Sequence, residues 1–131
     1  MIIDTSAIIA ILRDEPEAMA CARAIERAPI RRVSAVTFVE AALLIDGSRE
    51  PVASRRFDDF VAEAQFIIEP VTEIQARVAR EAYRDFGKGS GHPAKLNFGD
   101  CFAYALARVT GEPLLFKGDD FVHTDIAPVL T

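Results

Sequence analysis

The stretch Met1-Ile2-Ile3-Asp4-Thr5-Ser6-Ala7-Ile8-Ile9-Ala10 changes character twice. An apolar run ends in an acid, Thr5 and Ser6 supply hydroxyls, and a second apolar run follows, so the segment reads as a strand, a tight junction and a helix. Arg32 to Ala35, Phe66 to Val71, Pro113 to Phe116 and Ile126 to Leu130 are further short apolar runs, β-branched or bounded by Pro, Gly or charge, and read as strands. Helical periodicity fills the intervals over Ala7–Arg13, Glu15–Arg27, Thr37–Ile45, Pro51–Gln65, Thr72–Phe86 and Phe98–Val109. Asp14-Glu15-Pro16 reads as a first turn, Thr72 as a cap, and Gly47 and Gly111 as helix stops. Strands alternating with helices predict crossover connections, hence an α/β fold: a mainly parallel sheet in a three-layer α/β/α sandwich. Ligands of such sheets bind beyond the carboxyl ends of the strands, where the strand order reverses.

The chain has 131 residues, 50% of them hydrophobic and 27% charged, which predicts a single domain over 1–131. Its net charge of −5 excludes a global cationic field that would hold a polyanion, so contact with nucleic acid has to be local or ion-mediated. The uncharged apolar runs Ala7–Leu12, Ala41–Ile45 and Cys101–Ala107 fall well short of the roughly 18 residues that cross a bilayer. With no basic and apolar leader after Met1, the expectation is a soluble cytoplasmic protein without membrane contact. Cys21 and Cys101 are far apart and fit neither a disulfide framework nor a zinc site, so both read as free core thiols in a reducing compartment.

Acids fall where the fold predicts chemistry. Asp4 follows the first strand, where it can also cap the next helix. Glu40 is the sole charge between Arg32 and Asp46 and lies beside the apolar neighbours Val36, Leu43 and Leu44, a costly place for an unpaired carboxylate. Asp100 opens a helix that carries no other charge up to Ala107, with Asn97 as the better cap candidate. Asp119 and Asp120 follow the strand Pro113–Phe116. Two carboxylates 4 Å apart repel by about 4 kcal/mol at an effective dielectric near 20, so such a cluster requires cations. Hard oxygen ligands without a His or Cys cluster favour Mg²⁺, with Mn²⁺ as a substitute.

With these residues in view, the chain resembles the PIN-domain nucleases and, within them, the VapC toxins of bacterial toxin–antitoxin pairs. The resemblance runs through Ile2-Ile3-Asp4-Thr5-Ser6-Ala7, Phe38-Val39-Glu40-Ala41-Ala42, Leu96 to Ala105, Pro113 to Phe121 and Thr124-Asp125-Ile126. It implies an Mg²⁺-dependent endoribonuclease with catalytic acids at Asp4, Glu40, Asp100 and one of Asp119 and Asp120. It further implies a five-stranded sheet in the order 3-2-1-4-5, homodimerisation and inhibition by a VapB-like antitoxin. In the corresponding mechanism Asp4 and Asp100 hold the metal, while Glu40 orients or deprotonates a water.

From Arg77 to Lys95 the bases Arg77, Arg80, Arg84, Lys88 and Lys95 outnumber Glu81 and Asp85. The Gly87–Pro93 segment reads as a mobile loop leading to Asp100, which makes Lys88, His92 and Lys95 the candidate contacts to RNA phosphates. Its glycines match neither the phosphate-loop nor the dinucleotide fingerprint, and His92 and His123 are too separated for a nucleophilic triad. Phe57, Phe60, Val61 and Ala64 form an apolar stripe, read first as core and otherwise as a dimer face or antitoxin groove. An aspartyl-phosphate phosphatase of the haloacid dehalogenase type needs a second acid where this chain has Ser6. The remaining alternative is an inactive binding module of the same fold, acting through its antitoxin or RNA partner.

Overall fold

A computed structural model describes residues 1–130. Strand β1 (Ile2–Ile3) lies between β2 (Arg32–Ser34) and β4 (Leu114–Leu115), and β3 (Ile67–Glu69) pairs with the outer side of β2. Every pairing is parallel, with Ile2 opposite both Arg32 and Leu114, Ile3 opposite Leu115, and Val33 opposite Ile68. Among the described residues the sheet has four strands in the order β3-β2-β1-β4, not the expected five. Ile126–Leu130 forms a single bridge in place of the fifth strand: Leu114 N donates to Ala127 O at 2.9 Å and Val129 N to Leu114 O at 3.0 Å. Pro128 between them has no N–H, and β4 ends at Leu115, so no second pair extends the ladder.

The helices are α1 (Thr5–Leu12), α2 (Ala18–Arg27), α3 (Ala35–Asp46), α4 (Pro51–Glu63), α5 (Glu73–Phe86) and α6 (Phe98–Thr110). Helix α3 begins two residues before the expected Thr37 because Ser34 caps it, accepting from Val36 N, and this also ends β2. Helix α2 begins at Ala18 and not at Glu15: Asp14 has φ 51°, and the acids around Pro16 form a turn ahead of the helix. Thr72 caps α5, and Gly111 ends α6 at φ 71° in the left-handed region that glycine adopts freely.

Successive strand residues enter different apolar cores, as the two-residue period of a strand requires. Ile2 and Leu114 pack with Ala79 and Ala82 of α5 and Ala103 and Leu106 of α6. Ile3, Val33 and Leu115 pack with Ile8, Cys21, Ala41 and Phe57 from α1 to α4. Each fully buried Ile or Leu contributes about 1.5–3 kcal/mol relative to exposure. Phe57 is 3% exposed, and Phe60, Val61 and Ala64 pack against the same core, so the stripe on α4 belongs to the interior. Cys21 and Cys101 are buried free thiols. Among the described residues no helix is long and apolar enough to cross a membrane.

The chain steps from β1 outward to β2 and β3, then returns to place β4 on the other side of β1. The order therefore reverses between β1 and β4. Asp4 follows one of these strands and Lys117 to Asp120 the other.

Candidate active site

Asp4 is the N-cap of α1: its Oδ2 accepts from Ser6 N at 3.0 Å and from Ser6 Oγ at 2.6 Å. Ser6 Oγ in turn accepts from Lys117 N at 2.9 Å, joining the ends of β1 and β4. The other oxygen, Asp4 Oδ1, is buried without a hydrogen-bond partner. Burial pushes the Asp4 carboxyl above its usual range, the Ser6 hydrogen bonds oppose the shift, and the Glu40 charge adds to it.

Asp100, the third residue of α6, takes part in a capping box. Asn97 N donates to Asp100 Oδ2 at 3.0 Å and Asp100 N to Asn97 Oδ1 at 2.9 Å, satisfying two backbone donors at the helix start. Burial raises its carboxyl to about 7 against the Asn97 hydrogen bond, with added repulsion from Asp4, Asp120 and Glu40. Glu40 reaches the same place from the middle of α3, accepting from Thr5 Oγ1 at Oε1.

These side chains line a cleft of about 320 Å³ at the carboxyl edge of the sheet, together with Asp120, Lys117, Asn97 and Glu15. The site thus gathers Asp4, Glu40, Asp100 and Asp120, whereas Asp119, exposed as Asp120 is, lies outside the lining. Lys88, His92 and Lys95 do not line it either. Lys88 borders a groove of about 510 Å³ between α5 and α6, which shares Asn97 with the cleft. His92 is held locally, its Nδ1 accepting from Ala94 N and its ring 4.9 Å from that of Phe86. The Gly87–Pro93 segment is closed at its base, Lys88 N donating to Leu96 O and Leu96 N to Phe86 O. Thr5, Ser6 and Lys117 were not singled out as site residues from sequence. A hydroxyl two residues after Asp4 is a legible turn signal, but nothing local marks Lys117.

The donor set fits a hard divalent cation. The lining offers carboxylate oxygens and no His or Cys, and a buried acceptor on Asp4 has no protein donor. Among the described residues no group of three or more His, Cys, Asp or Glu side chains is placed to hold a metal ion together. Mg²⁺ can bind through only one or two carboxylates and keep several waters. Asp4 Oδ1 and the Asp100 carboxylate are the groups that would hold it.

The chain is thus an α/β protein with a parallel sheet and acids gathered where its strand order reverses, and residues 1–127 match the PIN domain model. The chain belongs to the PIN domain family, in its VapC ribonuclease branch. It is 58% identical over 130 residues to VapC ribonuclease Mb0625 of Mycobacterium bovis and to ribonuclease VapC28 of Mycobacterium tuberculosis, spanning 99% of this chain and 98% of each relative. Ribonuclease VapC42 of Mycobacterium tuberculosis is 52% identical over the full length of both chains. The fold is similar to the crystal structure of Mycobacterium tuberculosis VapC20, a sarcin–ricin loop cleaving toxin, with TM-score 0.72, 18% identity and coverage of 96% and 95% of the two chains. A toxin–antitoxin complex from Klebsiella pneumoniae is similar at TM-score 0.67 and 19% identity, over 92% of this chain and 88% of that one.

Proposed function

We propose that this chain is a VapC-type toxin, an endoribonuclease that hydrolyses RNA phosphodiester bonds in the cleft of Asp4, Glu40, Asp100 and Asp120. The observation that carries the reading is the convergence of these acids from four separate segments around a buried, unbonded Asp4 oxygen. The family assignment supplies the chemistry, and the 58% identical relatives carry ribonuclease names.

In this mechanism Asp4 and Asp100 are the residues that would hold Mg²⁺, or Mn²⁺ in its place. When bound there, the ion would supply charge neutralisation at the phosphate and a lowered pKa for water. Glu40, steadied by Thr5 Oγ1, orients the attacking water and accepts its proton. The water oxygen would bond to phosphorus as the bond to the ribose 3′-oxygen breaks in line, and that oxygen would take up a proton from solvent. The products are a 5′-phosphate and a 3′-hydroxyl. Lys88 and Lys95 contact RNA phosphates across the shared Asn97 edge, with His92 bracing their loop.

The protein acts in the cytoplasm under the control of a VapB-like antitoxin, and the two cores form the outer halves of a three-layer sandwich. A homodimer is supported by an apolar face beside the cleft: Val39, Leu43, Leu44 and Phe98 are 51%, 66%, 46% and 72% exposed around a groove of about 720 Å³. Purified Asp4→Asn and Asp100→Asn proteins should bind RNA yet lose cleavage by at least about 100-fold. Parent-rate cleavage by folded variants would overturn the assignment. Wild-type protein that binds antitoxin and RNA but never cleaves with Mg²⁺ or Mn²⁺ would identify an inactive binding module instead.

A further inference from the structure

Gly99 is the second residue of α6, and unlike Gly89, Gly91, Gly111 and Gly118 it does not have a positive φ. The backbone gives no reason for glycine there, and after proline it is the poorest helix former. The reason lies across the cleft. A Cβ on Gly99 would overlap Oε1, Oε2 and Cδ of Glu40, so the Glu40 carboxylate occupies the space a side chain would fill. On its other side the carboxylate is fixed by Thr5 Oγ1. Glu40 is therefore seated between the first turns of α1 and α6, against Gly99, the residue that precedes Asp100.

We propose that Gly99 is a positioning residue for Glu40: its missing side chain is the seat that holds the carboxylate beside Asp4 and Asp100. What overlaps the added methyl is the far end of a flexible side chain, not backbone. Gly99→Ala is therefore accommodated by a swing of Glu40, and the fold survives while the carboxylate leaves its place. Its catalytic consequence rests on the ribonuclease reading above. The contact itself does not.

The test is a double-mutant cycle on the full chain, comparing wild type, Gly99→Ala, Glu40→Ala and the double variant. Gly99→Ala should lower kcat for RNA cleavage by about 10- to 100-fold with KM unchanged, the scale of a displacement near 1 Å. In the Glu40→Ala background the same substitution should cost no further activity. Thermal melting gives a readout free of catalysis. Alanine is the better helix former, so Gly99→Ala should raise Tm more once Glu40 is truncated than when it is present. Equal Tm changes in the two backgrounds would overturn the seat whatever the activity. Undiminished kcat in Gly99→Ala, or an equal further loss in the Glu40→Ala background, would overturn the positioning role. If no variant cleaves RNA, the functional reading fails and the melting cycle still decides the contact.

Discussion

Asp4 and Asp100 are anchored alike, each through Oδ2 alone: Ser6 holds the first and the backbone of Asn97 the second. Each residue thus caps a helix with one oxygen and leaves the other for the cleft. Capping therefore does not use up the side chain, and the catalytic role proposed for each aspartate would fall to its other oxygen.

This arrangement sets the pH dependence of the metal-free protein. Asp100 rises from 3.8 to about 7 on folding, so the folded state holds its proton more tightly than the unfolded chain. The stabilisation is fully present below about pH 4 and is lost as pH rises through 7. Denaturant titrations between pH 5 and 8 should show wild type losing about 1–3 kcal/mol relative to Asp100→Asn, whose amide oxygen still accepts from Asn97 N. Saturating Mg²⁺ or Mn²⁺ should restore wild-type stability and leave Asp100→Asn little changed. Parallel pH profiles for the two proteins would contradict this account.

Asp120 lines the cleft and Asp119 does not. Asp120→Asn should therefore slow RNA cleavage by about tenfold or more, while Asp119→Asn stays near the parent rate. A reversed order in single-turnover assays would exchange their roles.

In the proposed function Lys88 and Lys95 would contribute charge to RNA binding, not chemistry. Replacing both with Gln should weaken binding and make the plot of log affinity against log salt shallower by up to about 1.4, at roughly 0.7 per phosphate contact on a single strand. An unchanged slope would remove them from the RNA path.

Val39 and Leu43 stand exposed on the apolar face of α3. Charging them as Val39→Asp and Leu43→Asp should shift sedimentation from dimer to monomer with Tm changed little, because neither side chain is in the core. A wild-type protein monomeric at all concentrations would exclude this face as a self-interface.

Asp125 accepts from Tyr104 Oη at 2.7 Å and pairs with Arg108, tying the turn after Phe121–His123 to α6. Asp125→Ala should cost about 1–2 kcal/mol in chemical denaturation, with kcat unchanged. A large kcat effect at unchanged stability would place Asp125 in the reaction.

Much of this was legible in the chain itself. The capping residues Asp4, Thr72 and Asn97 act on backbone a few residues away, and the helical periods and apolar runs report burial directly, so neighbours in sequence determined them. Asp4, Glu40 and Asp100 could be picked out because a lone carboxylate in apolar surroundings is costly wherever it lies. The fifth strand misread a run whose Pro128 and short partner β4 allow only one bridge. The tertiary structure alone placed Asp120 and not Asp119 in the lining of the cleft, brought Lys117 there and set Glu40 against Gly99. These relations join residues far apart in the chain. Their distances depend on how α3 and α6 cross and how the chain turns after β4, and packing fixes both.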